Sequence, residues 1–187
     1  MSTFKIHDHD SAPAAAIPVL DQAKSGFGMV PNLVGGLAEA PAAAEAYLTL
    51  SRLMSETSFS PTERHVVWFT INAEHGCEYC MAAHTAIAKG EKVADDVVST
   101  ARAVEPYGEA RLEALRQFTL LAVRERGWVG QEAVDAFLAA GFTRQNVLEV
   151  VLGISHKVLS NYANHIVETP LDAPFQPFAW KQPAVVR

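Results

Sequence analysis

Apolar residues recur at intervals of three and four along most of the chain, and no long segment alternates strictly between apolar and polar positions. Recurrence at threes and fours is typical of amphipathic helices, whereas strict alternation indicates strands. The pattern therefore predicts an all-α fold in which strands are few or absent. Because the helices follow one another through short turns, we expect a compact bundle.

Capping signals divide this pattern into helices. After a start rich in proline and glycine, a helix is predicted to begin at Pro41. The next helix opens with Ser60 as its N-cap and Glu63 three residues later, which together form a capping box, and it meets Gly76 at its end. Further helices are predicted over residues 77–88, 93–103, 107–126 and 131–140, followed by a long last helix capped by Thr143.

The last helix carries an apolar stripe that ends in polar residues. Steps of four and three connect its members, which are Val147, Val151, Ile154, Val158, Asn161 and His165. A polar side chain on a buried face needs a hydrogen-bond partner. Asn161 and His165 are therefore interpreted either as satisfied core groups or as groups that line a cavity.

The length of 187 residues suits one domain, because two independent cores would each be small. We therefore expect a single domain over residues 1–187, with an N-terminal extension over about residues 1–40. A proline-rich tail over about residues 169–187 is expected to run extended over the surface or over a neighbouring subunit. The apolar character of the helices predicts a homo-oligomer.

Composition and charge exclude several classes of partner. A net charge of -6 gives no electrostatic basis for binding nucleic acid. No apolar run is long enough to cross a membrane, and the N-terminus lacks the features of a signal peptide. We therefore expect a cytoplasmic protein with neither nucleic-acid nor membrane partners.

The chain's two cysteines lie close together in the segment "INAEHGCEYCMAAHT". On a helix, Cys77, Cys80 and His84 project from one face, because steps of three and four relate them. A helix N-terminus and a nearby imidazole both favour the reactive thiolate. Because a structural disulfide is not expected in the cytosol, this arrangement predicts a redox-active dithiol.

Other interpretations of this region stay open. The cysteines could be packing residues alone, or Cys77, Cys80 and His84 could hold zinc together with Glu74, although structural zinc usually draws ligands from two separated segments. Glu74 is the candidate acid because it lies one turn before Cys77. His65, on the preceding helix, is either a site residue or a partly buried histidine, and Tyr79 is interpreted as a packing residue beside the site.

The segment "EHGCEYCMAAHT" resembles the core motif of the AhpD-like alkylhydroperoxidases, within the carboxymuconolactone decarboxylase superfamily, whose redox signature is C-x-x-C-x-x-x-H. The similarity extends more weakly from Pro41 to His84. "GMVPNL" and "LSNYANHIVETPLD" also resemble segments of the uncharacterised peroxidase-related branch. The resemblance implies an AhpD-like helical bundle, assembled as trimers or hexamers. It also implies a hydroperoxide substrate, a dithiol reductant or adaptor protein, and no metal or organic cofactor.

The resemblance also implies roles for individual residues. In the family the second cysteine attacks peroxide, the first resolves the intermediate, and the histidine belongs to a proton relay ending in a glutamate. These roles fall on Cys80, Cys77 and His84. His65 occupies the position of the relay glutamate, and Tyr79 that of a histidine found before the second cysteine. Completion of the relay therefore falls to one of three residues, which are Glu74, His65 and His165.

The helix dipole and the resemblance favour different nucleophiles. The dipole favours Cys77 as the thiol of low pKa. We follow the resemblance, because His84 lies one turn from Cys80 and can serve as its base. Cys77, at the exposed start of the helix, would then face the reductant.

Two alternative functions remain. The chain could be a non-catalytic binding module whose dithiol senses oxidant, and such a sensor would consume one equivalent of peroxide where an enzyme consumes many. A carboxymuconolactone decarboxylase-like lyase is the lesser alternative, because that reaction does not need the cysteine pair.

Overall fold

The computed structural model describes residues 3–183, and within them it contains helices and no strand, which confirms the prediction of an all-α fold. The α-helices of this range are α1 (Ile17–Phe27), α2 (Asn32–Leu37), α3 (Pro41–Ser55), α4 (Pro61–Glu74), α5 (Glu78–Gly90), α6 (Asp95–Ala103), α7 (Ala110–Arg124), α8 (Gly130–Ala139) and α9 (Arg144–Val167). Short 3-10 helices lie at Ala14–Ala16 and Ala173–Phe178.

The capping signals place the helices around the cysteines correctly. The Ser60 amide donates to Glu63 Oε2 at 2.8 Å, and the Glu63 amide donates to Ser60 Oγ at 3.2 Å, so the predicted capping box is present. Gly76 adopts a φ of 65°, which favours glycine and allows the chain to turn between α4 and α5. Cys77 is consequently the N-cap of α5.

The two ends of the chain are more ordered than the sequence predicted. The N-terminal extension contains α1 and α2, and α1 shows the signals of Pro18 in its first turn and Gly28 at its end with a φ of 74°. The tail is not simply extended, because residues Ala173–Phe178 form a 3-10 helix that packs on α5. The remainder of the predicted tail, residues 184–187, lies outside the described residues.

Helix α4 is the centre of the bundle and contacts α5, α6, α7 and α9. Every residue from His65 to Ala73 is buried. Against α4, the helices α6, α7 and α8 form an apolar cluster in which the rings of Phe118, Phe137 and Phe142 stack. A second cluster joins α1, α2 and α3 to the cysteine-bearing start of α5.

The predicted stripe on α9 is wrong in its orientation. The residues that α9 buries at steps of four and three are Asn146, Val150, Gly153, Lys157, Ser160, Asn164 and Val167. Val151 and His165 are exposed instead. Hydrophobic periodicity assigns the more apolar face to the interior, whereas α9 packs with a polar face and exposes Leu148 and Ile166.

Helix α9 approaches α4 closely at Gly153. A Cβ atom at that position would lie 2.8 Å from Cγ1 of Val67, which is closer than side chains pack. The absence of a side chain therefore lets the polar face of α9 reach the centre of the bundle. Among residues 3–183, no helix combines the length and the hydropathy that crossing a lipid bilayer requires.

Candidate active site

The turn between α4 and α5 places both cysteines in the interior. The Cys77 amide donates to the carbonyl of Asn72 at 2.9 Å, so the chain folds back on the end of α4. Both thiols are free, and only 1% of Cys77 and 2% of Cys80 are exposed. The expectation that Cys77 lies at an exposed helix start is therefore wrong, because α9 and the residues around the turn cover it.

Helix α9 supplies the polar contacts of the two sulfur atoms. Asn164 Nδ2 donates to Cys80 Sγ at 3.2 Å and lies 3.9 Å from Cys77 Sγ. Ser160 Oγ lies 3.9 Å from Cys80 Sγ. Because a thiolate accepts hydrogen bonds more strongly than a thiol, the Asn164 amide favours the ionised form of Cys80.

The pKa values of the two thiols are shifted in opposite directions. Burial opposes ionisation of Cys80, but the Cys77 hydrogen bond, the charge of Lys157 and the Ser160 hydrogen bond outweigh it and lower the pKa of Cys80 to about 5. The hydrogen bond between Cys77 and Cys80, together with burial, raises the pKa of Cys77 above its ordinary value. These opposite shifts favour ionisation of Cys80 over ionisation of Cys77.

Lys157 provides the positive charge of the site, and the sequence analysis did not single it out. It is 1% exposed, and its Nζ donates to His84 Nε2 at 2.9 Å. Within residues 3–183 no carboxylate lies within salt-bridge distance of this ammonium. Lys157 lies four residues after Gly153 and three before Ser160, which is the spacing of one helix face. Once the buried face of α9 is known, this spacing indicates that Lys157 belongs to it.

His84 has a different partner from the predicted one. Because its Nε2 accepts a hydrogen bond from Lys157, its proton lies on Nδ1. Burial and the charge of Lys157, with smaller contributions from His65 and His156, hold the pKa of His84 well below its ordinary value. His84 is therefore a neutral imidazole that holds Lys157, and no hydrogen bond connects it to Cys80.

Two further neutral histidines surround His84. The pKa of His65 is lowered to about 4, first by burial and then by the charges of Arg64 and Lys157. Burial and Lys157 also lower the pKa of His156. The centroid of the His65 ring lies 5.9 Å from that of the His84 ring, so the structure places His65 next to His84.

A cavity of about 150 Å³ contains the reactive groups. Its polar wall includes Cys80, His84, His156, Lys157 and Glu91. It shares Phe27, Tyr47, Tyr79 and Ile87 with an apolar groove of about 530 Å³ whose further wall includes Met29 and Phe175. An apolar molecule could thus occupy the groove and present one polar end to Cys80.

Part of the chain matches the model of a known protein family. The profile of the Carboxymuconolactone decarboxylase family matches residues 39–120, a segment that includes both cysteines and His84. An uncharacterized peroxidase-related protein from Ralstonia eutropha, described as an alkylhydroperoxidase AhpD core, has the same fold with a TM-score of 0.77 and 22% identity, over 93% of this chain and 94% of that chain. Residues 39–120 are thus similar to the Carboxymuconolactone decarboxylase family, and the chain as a whole has the AhpD-like fold.

Other solved structures share the AhpD-like fold. An uncharacterized peroxidase-related protein from Silicibacter sp. gives a TM-score of 0.76 and 16% identity over 92% of each chain. The debrominase Bmp8, in complex with 2,3,4-tribromopyrrole, gives a TM-score of 0.78 and 15% identity over 95% of this chain and 96% of that chain. No curated protein matches the sequence. At these identities the similarity to solved structures shows the fold alone.

Two residues predicted for the site lie elsewhere. The Glu74 carboxylate accepts two hydrogen bonds from Arg124, each of 2.9 Å, and takes no part in the cavity wall. The turn at Gly76 ends the helix, so the spacing between Glu74 and Cys77 no longer places their side chains on one face. His165 is exposed, because α9 is rotated relative to the predicted stripe.

Asn161 is a satisfied core group behind the cysteine turn. Its Nδ2 donates to Asn72 Oδ1 at 3.0 Å, and its Oδ1 accepts from His75 Nδ1 at 2.9 Å. Asn72 in turn accepts the Cys77 amide through its carbonyl. Asn161 therefore positions the turn that carries the dithiol rather than lining the cavity.

Tyr79 connects the site to both ends of the chain. Its hydroxyl donates to Asp172 Oδ2 at 2.5 Å and accepts from the Leu33 amide at 3.3 Å. Asp172 Oδ1 also accepts from the Asn32 amide at 3.0 Å. Burial and Asp172 raise the pKa of Tyr79, so the hydroxyl keeps its proton. Tyr79 thus fixes one wall of the cavity.

The described residues contain no arrangement suited to a metal ion. Between residues 3 and 183, no group of three or more histidine, cysteine, aspartate and glutamate side chains could hold one. The four proposed zinc ligands are not gathered, since Glu74 pairs with Arg124 and His84 Nε2 accepts from Lys157.

Proposed function

We propose that this AhpD-like protein is a thiol-dependent oxidoreductase that reduces organic hydroperoxides in the cytoplasm. The observation that carries the proposal is the Cys80 sulfur on the wall of a cavity, where it accepts a hydrogen bond from Asn164, with the Cys77 thiol beside it. A thiolate is the nucleophilic form of cysteine, and a neighbouring thiol allows the oxidised product to be resolved as a disulfide. The apolar groove gives room for the organic part of the substrate.

The proposed reaction has three steps. The Cys80 thiolate attacks the terminal oxygen of the hydroperoxide, so an S–O bond forms, the O–O bond breaks and an alkoxide leaves, which takes up a proton. The Cys77 thiol then attacks the Cys80 sulfenic acid, forming the disulfide and releasing water. An external dithiol reduces the disulfide and returns both cysteines to their starting forms.

Reductive dehalogenation of a small aromatic ring is a second candidate function. It is favoured by the shared fold of the debrominase Bmp8 and by the aromatic side chains Phe27, Tyr47 and Phe175 around the groove. Here the Cys80 thiolate would take the halogen, a proton would go to the ring carbon, and Cys77 would displace halide to form the same disulfide. Both reactions therefore need the same thiolate, thiol and proton donor.

A substrate panel distinguishes these functions. Hydrogen peroxide, cumene hydroperoxide and 2,3,4-tribromopyrrole would each be supplied with dihydrolipoamide as the dithiol, and consumption would be followed over many turnovers. We expect cumene hydroperoxide to be consumed fastest. Turnover of the bromopyrrole alone would support dehalogenation instead, and a single equivalent of peroxide consumed per chain would indicate a sensor. Two unreactive thiols in the folded protein would refute all thiol-based functions.

We also propose that the protein acts as a homo-oligomer that buries the outer face of α9. The residues of this face repeat at steps of four and three, the spacing of a helix–helix seam, and they are Leu148, Leu152, Ser155, Leu159, Tyr162 and Ile166. Leu148 is 70% exposed and Ile166 is 65% exposed, which is unusual for large apolar side chains. Light scattering of the wild type and of Leu148→Asp tests this, and a wild-type monomer would refute it.

A further inference from the structure

The burial of Lys157 requires an anion, and within residues 3–183 no carboxylate lies close enough to supply one. A buried ammonium costs free energy unless it is paired. The titratable groups on which its charge acts are three histidines and two thiols, which are His65, His84, His156, Cys77 and Cys80. Glu91, on the same cavity wall, directs its carboxylate to Arg64 at 3.4 Å and to His65 at 3.5 Å. The Cys80 thiolate is the remaining anion.

We propose that Lys157 is a catalytic residue that serves first as the counterion of the Cys80 thiolate and then as the proton donor to the leaving group, with His84 as its positioning residue. This inference rests on the proposed thiol-dependent reduction. Lys157 and Cys80 line one cavity, and the single hydrogen bond to His84 fixes the ammonium at its wall. An ammonium has three N–H donors, so two remain for the thiolate and the substrate.

His84 is unsuited to the donor role that the family motif implies for it. Its Nε2 is occupied by Lys157, and its depressed pKa keeps the imidazole neutral. A neutral imidazole is a weak acid, whereas an ammonium readily gives a proton to an alkoxide. The geometry therefore transfers the acid function from α5 to α9.

In the proposed cycle, the proton that Lys157 gives to the leaving group is returned to it when the disulfide is reduced. When the thiolate attacks, the departing alkoxide takes a proton from the ammonium and becomes an alcohol, leaving a neutral amine. The Cys77 proton leaves with the sulfenic hydroxyl as water when the disulfide forms. The external dithiol then supplies two protons, one that restores the Cys77 thiol and one that passes through Cys80 to the amine. The cavity carries no net charge at the beginning or the end, as burial favours.

The test replaces Lys157 with methionine, which keeps the volume and removes the charge. Lys157→Gln serves as a second variant in case the first fails to fold, and Lys24→Met is the matched control because Lys24 is exposed on α1. The pH dependence of alkylation by iodoacetamide reports the Cys80 thiolate. We expect its titration to move from acidic pH toward the ordinary thiol value of about 8.5 in both Lys157 variants and to stay unchanged in the control. An unchanged titration would overturn the counterion role.

Proton donation is tested separately, by single-turnover attack on cumene hydroperoxide at a pH where Cys80 is ionised in every variant. We expect a remaining deficit of about a hundredfold without Lys157, which is the usual scale of general acid catalysis. The deficit should shrink for hydroperoxides whose alcohols are more acidic. A rate equal to wild type at that pH would overturn the donor role. If the wild type consumes no hydroperoxide, the proposed function fails, while the alkylation titration still decides the counterion role.

Discussion

Helix α4 contacts an apolar region on one side and a polar region on the other. The apolar region stabilises the fold, and the polar region contains the candidate reactive groups. In the region toward α7 and α8, the rings of Phe118, Phe137 and Phe142 stack with centroids 4.3 Å apart in an apolar cluster. In the region toward α5 and α9, the interior contains Lys157, three histidines and two cysteines. Removal of apolar surface from water in the first region stabilises the fold. Desolvation of polar groups in the second region destabilises it and offsets part of that contribution.

The distribution of unsatisfied groups reinforces this comparison. Most buried polar side-chain atoms that lack a hydrogen-bond partner within residues 3–183 belong to the polar region, including both ring nitrogens of His65 and His156 and Nδ1 of His84. Orphaned polar atoms are rare in protein interiors and mark places where function outweighs stability. The polar region is therefore the part of the bundle where substitutions should alter chemistry without unfolding the protein.

The largest expected effect is the loss of turnover in Cys80→Ser. Under the proposed function Cys80 supplies the attacking thiolate, so peroxide consumption should be abolished while the fold remains. Cys77→Ser should react once and stop at a sulfenic acid on Cys80, because the resolving thiol is missing. Steady-state assays and mass spectrometry measure both results. The opposite pattern, in which Cys80→Ser still forms a sulfenic acid and Cys77→Ser is inert, would exchange the roles of the two cysteines.

In the apolar region, Phe137→Ala should cost about 3–5 kcal/mol of unfolding free energy, because Phe137 is buried and stacked on two rings. Urea denaturation measures this loss. The Cys80 titration should stay at its wild-type position in Phe137→Ala, whereas Lys157→Met should shift that titration with little loss of stability. A shift of equal size in both variants would show that the two regions are not separable.

Acid should destabilise the protein through the buried histidines. Burial, Arg64 and Lys157 lower the pKa of His65 from 6.5 to about 4 in the folded state. Between these values the unfolded chain binds a proton that the folded chain does not, so the unfolding free energy decreases as the pH falls. For His65 the decrease amounts to about 3 kcal/mol across this window. His65→Gln should weaken the pH dependence of the unfolding free energy, which denaturant midpoints measure at several pH values. His9→Gln should leave it unchanged, because His9 is exposed. The same pH dependence in both variants would refute this explanation.

A smaller effect is expected at the contact between α4 and α9. Gly153→Ala would place its Cβ against Val67, so we expect a loss of about 1–3 kcal/mol from overpacking. Gly26→Ala is the matched control, since nothing lies within 4 Å of its Cβ position. Thermal unfolding compares the two. Equal stability of Gly153→Ala and the wild type would show that α9 can move away from α4 at no cost.

The sequence predicted what local chemistry determines and missed what depends on distant contacts. Ser60, Glu63 and Gly76 act within a few residues, so the ends of α4 and the start of α5 could be placed. The orientation of α9 depends on the helices that it packs against. Because its buried face is polar, hydrophobic periodicity assigned the wrong face to the interior. Lys157 was consequently overlooked. The cover over Cys77 also comes from residues far along the chain, which no local pattern indicates.

Under the proposed function, the position of the tail would limit how quickly the catalytic cycle can be completed. Gln182 lies against Gly76 and donates to the Ala73 carbonyl at 2.9 Å, directly beside the turn that bears the buried Cys77. A protein reductant could not reach a disulfide between Cys77 and Cys80 until the residues that cover Cys77 move aside. Under the proposed function, the rate of reduction would then level off as reductant is added, because the opening of the cover sets the ceiling. A small dithiol that can enter through the groove would escape this ceiling, so the kinetic order in reductant would itself report which path the electrons take.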